Sequence, residues 1–220
     1  MKRKNLYVCM MLAGALLGLA ASSAHADTVL NVSVNTSSLS GLAGSEVFFE
    51  LTDGSGTGDG NNTATVSLIA LGGGTAGTVD TTNSTGGESG DLSSGITLTD
   101  TSALNVLGQF FTPGSALSFT LDLTSNVDAG NTPDQFSLYI YDPSSNPIDT
   151  TSDPTGFNSL LAVDGLCAAT TCASTPIVNN YDPSLVTTTL VVTPEPMTLL
   201  LLGSGLAGLG LLRRRNLVSP

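Results

Sequence analysis

Between Asp27 and Thr193 the chain carries seventeen Asp and Glu residues and not one Lys, Arg or His. No carboxylate in that stretch has a side-chain cation to pair with, so each must be solvated, hydrogen-bonded or bound to a cation. The same absence removes whole classes of function. Nucleic-acid binding draws its affinity from Lys and Arg displacing counterions from phosphates, and bare phosphate or anionic-lipid sites need the same side chains. Ser-His-Asp and Cys-His constellations lack their base. A His-ligated zinc site is excluded, and two cysteines, Cys167 and Cys172, are too few for a four-cysteine one.

The stretch is one domain long, enough to bury a core. Its pattern is that of many short antiparallel strands: period-two alternation broken by Gly, Pro and Asp. Leu30, Val32 and Val34 share a face within Val29 to Val34. In Ser45 to Thr52, Val47, Phe49 and Leu51 point inward and Glu46 and Glu50 outward. Thr63 to Leu71 is more continuously apolar and suits a central strand, and Ile96 and Leu98 alternate with threonines. Ala116 to Thr124, Gln135 to Tyr141 and Val186 to Val192 complete the set. Thr112-Pro113-Gly114-Ser115 fits a type II turn with Gly114 at positive φ. The Thr/Ser/Gly-rich run from Gly72 to Ser94 reads as a long flexible connection. No helical pattern of ten residues interrupts these strands. The expected fold is all-β, an antiparallel β-sandwich, with a barrel as the alternative.

All six Lys and Arg and the only His lie outside this body. Lys2-Arg3-Lys4, the apolar run Leu6 to Ala21 and Ala24-His25-Ala26 have the order of a secretory signal peptide cleaved before Asp27. Thr193 is followed by Pro194-Glu195-Pro196, then Met197 to Leu212 without a charge, then Arg213-Arg214-Arg215. As a helix the apolar run would be about 24 Å long, enough to span a bilayer with some thinning, the arginines staying cytoplasmic. The expected organisation is a signal peptide at 1–26, a β-sandwich body at 27–193, a membrane-spanning segment with its flanks at 194–215, and a tail at 216–220.

Pro194-Glu195-Pro196, a Leu- and Gly-rich span and a terminal arginine cluster together resemble the PEP-CTERM sorting signal of Gram-negative bacteria. The resemblance implies that an exosortase-type membrane peptidase is a partner, with Pro194, Glu195 and Pro196 as the recognition element and Arg213, Arg214 and Arg215 as the cytoplasmic stop. It implies export across the inner membrane, transient anchoring, and release into the cell envelope or outside the cell. In the body, Leu30-Asn31-Val32-Ser33-Val34-Asn35-Thr36-Ser37 followed by Gly41, the Val47 to Leu51 strand, Phe136 to Asp142, and Thr151-Ser152-Asp153-Pro154 look like a group of PEP-CTERM proteins whose β-sandwich bodies are uncharacterised. Those motifs imply strand and turn positions and no activity.

Three further features bear on function. Cys167 and Cys172 have four residues between them and, in an oxidising compartment, read as a disulfide. Asp53, Asp59 and Asn61 alternate in a Gly-rich loop as calcium ligands do, but Ser55, Thr57 and Ala64 stand where an EF-hand needs acids and amides, so a plain hairpin loop competes with a weak metal site. Asp149, Ser152 and Asp153 form a similar, weaker cluster. Glu46 and Glu50 project from one strand face, which would suit a carboxylate-pair hydrolase, although solvated outward charges are the better reading. Tyr139 and Tyr141, also on one face, would make a stacking platform or a surface covered by a neighbouring segment. The expectation is a non-enzymatic, exported envelope or matrix protein associated with exopolysaccharide and needing no cofactor. A calcium-dependent adhesin or glycan-binding module is the alternative, and a carboxylate-pair hydrolase the remote one.

Overall fold

The computed structural model describes residues 27–124, 126–128, 131–170, 172–173, 175–191 and 203. Ala24 and Ala26 of the expected cleavage site lie outside these residues. So do Pro194, Glu195, Pro196, Arg213, Arg214, Arg215 and, apart from Gly203, the apolar span. Among the described residues no helix is long and apolar enough to cross a membrane.

All seven strands expected from alternation form. They are β1 (Thr28–Asn35), β2 (Ser45–Thr52), β3 (Thr63–Ala70), β6 (Gly95–Thr99), β8 (Ala116–Leu123), β10 (Gln135–Tyr141) and β14 (Val186–Val191). Seven more accompany them: β4 (Thr75–Val79), β5 (Gly87–Asp91), β7 (Leu104–Thr112), β9 (Val127–Asp128), β11 (Leu161–Asp164), β12 (Leu166–Cys167) and β13 (Ile177–Asn180). They make two antiparallel six-stranded sheets, ordered β14-β1-β8-β3-β6-β5 and β13-β11-β10-β2-β7-β4, with β9 and β12 as a small parallel pair. The body is therefore all-β and consistent with the expected sandwich; no ladder between described residues closes the two sheets into a barrel. Inward residues of both sheets share one core. Phe49 of β2 meets Phe119 of the other sheet edge-on at 5.5 Å between ring centres, and Phe136 of β10 at 6.5 Å. Edge-to-face contact of this kind adds to the area the rings bury.

Two local expectations are corrected. The Gly72 to Ser94 run is not a free connection, because it holds β4 and β5. Its backbone is fixed by two buried amides of β7. Asn105 Oδ1 accepts from Gly87 N at 2.9 Å, while Gln109 accepts from Leu92 N at 2.8 Å and donates to Gly77 O at 2.8 Å. A strand that buries polar amides on its second face shows no alternation, which is why β7 itself escapes a period-two reading.

The second correction concerns Gly114, which does not take a positive φ. β7 and β8 lie in different sheets, so Thr112 to Ser115 is a crossover and not a hairpin turn. Glycine is required there because a Cβ would collide with the backbone of Leu71 and Gly72, to which Gly114 N and Ser115 N donate at 3.1 and 3.0 Å.

The turns show where the unpaired carboxylates go. Asp53, Asp80, Asp91, Asp142, Asp153 and Asp182 each accept a hydrogen bond from the backbone N–H two residues on, at 2.7 to 3.0 Å, and Asp59 does so at 3.1 Å. Six of these seven have Ser or Thr at that second position, and several take its hydroxyl as well. Such side-chain-to-backbone turns give a carboxylate the donors that a Lys or Arg would otherwise supply.

Candidate functional site

The outer face of the β2/β10 sheet carries a cleft of about 570 Å³. Antiparallel register places Tyr141 opposite Glu46, Tyr139 opposite Phe48 and Ser137 opposite Glu50, so the even-numbered outward residues of β2 and the odd-numbered ones of β10 form one surface. Phe48 and Tyr141 pack edge to face with ring centres 5.8 Å apart. Phe48 lies opposite Gly108 of β7, where a Cβ would run into the Phe48 ring and the Glu46 carboxyl. The absent side chain thus makes room for both groups.

The rim is built by loops. Asp153 accepts from Thr155 N and Oγ1 and from Ser159 N and Oγ, at 2.7 to 3.0 Å, closing the 153–159 loop that presents the exposed Phe157 to the cleft. Tyr141 donates its hydroxyl to Phe157 O at 3.3 Å. Asn83 and Leu104 complete the opposite side. Neither Asp149 nor Ser152 joins Asp153: Asp149 accepts from Thr150 N, and Ser152 donates to Tyr181 O.

Glu46 and Glu50 are not the freely solvated charges that their outward direction suggests. Burial pushes Glu46 up to about 7, helped by a hydrogen bond and repulsion from Asp80. Asp80 keeps the charge of that pair. Its own burial pushes it up, but the donors around it, led by Thr82 N and the Asn83 amide, hold it below the usual carboxylate range. Burial also raises Glu50, against a hydrogen bond from Thr52 Oγ1 at 3.0 Å. Four residues along a strand separate the Glu46 and Glu50 backbones by about 13 Å, with side chains standing roughly perpendicular to the sheet. Glycosidase carboxyls lie about 5 to 9.5 Å apart. Glu46 and Asp80, which share a hydrogen bond, leave no room between them for a substrate or a water.

A second cluster sits at one end of the sheets. The structure brings Asp53 together not with Asp59 and Asn61 but with Asp128 and Asp134, all three buried, with carboxylate oxygens within 4.8 Å of one another. Asp59 and Asn61 instead bond to each other, Asn61 donating through N and Nδ2 at 3.1 Å. Asp53 is held low: burial pushes it up, but Ser55 and the backbone N–H groups of Gly58, Ser55 and Gly56 outweigh that. Asp134 accepts from Gly54 N at 2.8 Å and Asn62 Nδ2 at 2.6 Å.

Asp100, wholly buried beside them, is driven well above the ordinary carboxylate range, first by burial and then by Asp134 and Asp59, against the Asn62 N–H that it accepts. Asp128 belongs to β9, which pairs with β12; the bonded Cys167 and Cys172 close the next loop, and Ala168 N donates to Asp128 O at 2.8 Å. Oxygen ligands in such a group suit a hard cation such as calcium, with Asp53, Asp128 and Asp134 as its ligands. Sequence spacing could not show this group, because its members stand 75 and 6 residues apart, just after β2, in β9 and just before β10.

Comparison with protein-family models, characterised proteins and solved structures finds no match to the chain.

These shifts set a pH dependence. The turn carboxylates held low, Asp53, Asp80 and Asp153 among them, stabilise the fold above about pH 4 and lose that contribution on acidification. Glu46 and Asp100, held high, stabilise it fully below about pH 4, and that contribution is lost as the pH rises toward 7. In chelator, thermal unfolding is therefore expected to peak between about pH 4 and 5 and to fall by pH 8, with Asp100→Asn flattening the upper limb. A melting temperature that climbs steadily to pH 8 would contradict these assignments.

Proposed function

We propose that this is an exported, non-catalytic protein of a Gram-negative cell envelope or extracellular matrix, whose β-rich body binds polysaccharide in the Phe48/Tyr139/Tyr141 cleft. The observation that carries the reading is the cleft itself: aromatic rings, an amide and carboxyls converging on one open surface of a body that has no catalytic cation or His. Flat rings with polar groups at their edges suit the apolar faces and hydroxyl rims of sugars. Export is supported by the order of charged, apolar and small residues before Asp27. Sorting is supported by the Pro194-Glu195-Pro196, apolar and arginine order at the other end, which resembles an exosortase substrate. The separation of Glu46 from Glu50, and the shared hydrogen bond between Glu46 and Asp80, speak against a hydrolase.

A calcium-dependent form of the same binding is the second reading, favoured by the convergence of Asp53, Asp128 and Asp134. Calcium added to the chelated protein at pH 8 would then raise its unfolding temperature beyond a sodium control of equal ionic strength.

The test combines recovery and binding. Protein collected from its host's matrix should have lost the mass of residues 1–26 and part of the segment after Thr193, the second loss disappearing without the exosortase. In affinity electrophoresis against the host's matrix polysaccharide it should be retarded. Phe48→Ala or Tyr141→Ala is expected to weaken retention about fivefold or more, in line with the worth of one aromatic stack. Leu68→Ala, on the opposite sheet, should leave it unchanged. An intact C-terminus in both strains would sink the sorting claim, and retention indifferent to Phe48 and Tyr141 would sink the cleft.

A further inference from the structure

The charged side chains lining the cleft are all of one sign. Glu46 and Glu50 line it, Asp80 stands against Glu46, and the influence of Glu50 and Asp153 reaches both tyrosines. The hydroxyls of Tyr139 and Tyr141 are raised first by burial and then by those two carboxylates. No Lys, Arg or His exists in residues 27–193 to offset them. One oxygen of Glu46, Oε1, is buried without a hydrogen-bond partner, packed beside Gly108 and the Phe48 ring. A buried acceptor left unsatisfied is costly, and a ligand that donates to it recovers that cost.

We propose that the cleft selects a polysaccharide bearing free amino groups, a glucosamine-type chain whose ring faces lie on Phe48, Tyr139 and Tyr141 and whose ammonium groups meet Glu46 and Glu50. This rests on the glycan-binding reading and adds the charge of the ligand. An anionic polysaccharide would bring carboxylates or sulfates into a negative field with nothing to receive them, which disfavours it by repulsion. A neutral or N-acetylated chain would cover the rings yet leave the Glu46 and Glu50 carboxyls partly desolvated without a counter-charge.

An ammonium group supplies three donors and a charge, and takes over the role of the proton that Glu46 shares with Asp80. Aromatic faces beside the carboxylates add attraction for the same cation. The length of the site points to a polymer. The two glutamate positions, about 13 Å apart along β2, are too widely spaced for one ammonium to serve both, whereas a chain with repeated amino groups reaches each.

The test is calorimetric titration of the full-length protein in mild detergent and weakly acidic buffer with four probes: a glucosamine hexamer, its fully N-acetylated counterpart, a uronate hexamer and a lysine tetramer. The glucosamine hexamer is expected to bind at least about tenfold tighter than the acetylated one, the worth of a charge-assisted hydrogen bond. The uronate hexamer should not bind. Glu46→Gln with Glu50→Gln should bring the glucosamine hexamer down to the acetylated level, while Asp91→Asn, on an exposed turn of the other sheet, should leave it unchanged. Thermal melts of both variants confirm that they fold.

Equal or tighter binding of the acetylated hexamer would overturn the amino-group inference and leave the glycan reading standing. An equal loss on Asp91→Asn would reduce the preference to general charge attraction and overturn it too, as would a lysine tetramer that binds as tightly as the glucosamine hexamer. No binding by any oligosaccharide would overturn the glycan reading and this inference together.

Discussion

Every carboxylate of the body has to be satisfied without a cationic side chain, and the chain meets that constraint in two opposite ways. At the turns, Asp residues accept backbone N–H groups together with a nearby side-chain donor, the Ser or Thr hydroxyl two positions on for Asp53 and Asp153, Ser94 Oγ for Asp91 and above all the Asn146 amide for Asp142, which keeps these four ionised more readily than usual. On the sheet face and at the sheet end, burial dominates, and Glu46, Glu50 and Asp100 hold their protons more tightly. The first group shapes the loops that connect the strands. The second marks where the protein departs from a plain scaffold, since Glu46 and Glu50 line the cleft and Asp100 lies beside the acidic cluster.

The cleft depends on register more than on any one residue. β10 pairs with β2 so that Tyr139 and Tyr141 stand beside Phe48 and Glu46, and a slip of β10 by one residue would turn both tyrosines into the core. Register is fixed by the inward residues of the same strands, with Phe49 packed on Phe119 of the facing sheet and on Phe136 of β10. The hydrophobic core and the outer binding face are thus two sides of the same alternation. Gly108 contributes by what it lacks, and the Asp153 turn by placing Phe157 at the rim.

Alternation alone revealed the seven strands that bury one face and expose the other, and with them the outward direction of Glu46, Glu50, Tyr139 and Tyr141. It failed where that premise fails. β7 is buried on both faces, with Asn105 and Gln109 spending their amides on neighbouring backbone, and β4 and β5 are short Gly-rich strands with little to bury. The Asp-x-Ser/Thr turns fall where Asp breaks the alternation, but their shared role in satisfying charge emerges only from the hydrogen bonds. The acidic cluster was half legible: Asp53 belongs to it, while Asp128 and Asp134 reach it through loops that no local pattern connects. That the two outward glutamates share a desolvated cleft is a property of the surrounding loops, which sequence does not bring into view.

That a body without cations holds two populations of carboxyl groups can be tested group by group, because their proton affinities can be read one by one. Carbon-13 NMR titration of the side-chain carboxyls of the folded, cation-free protein is the most direct measurement. It should show Glu46 and Asp100 both titrating near pH 7, with Asp53 and Asp153 below the ordinary range. Titration of all seventeen together, within the range of unperturbed carboxylates around pH 4, would contradict it.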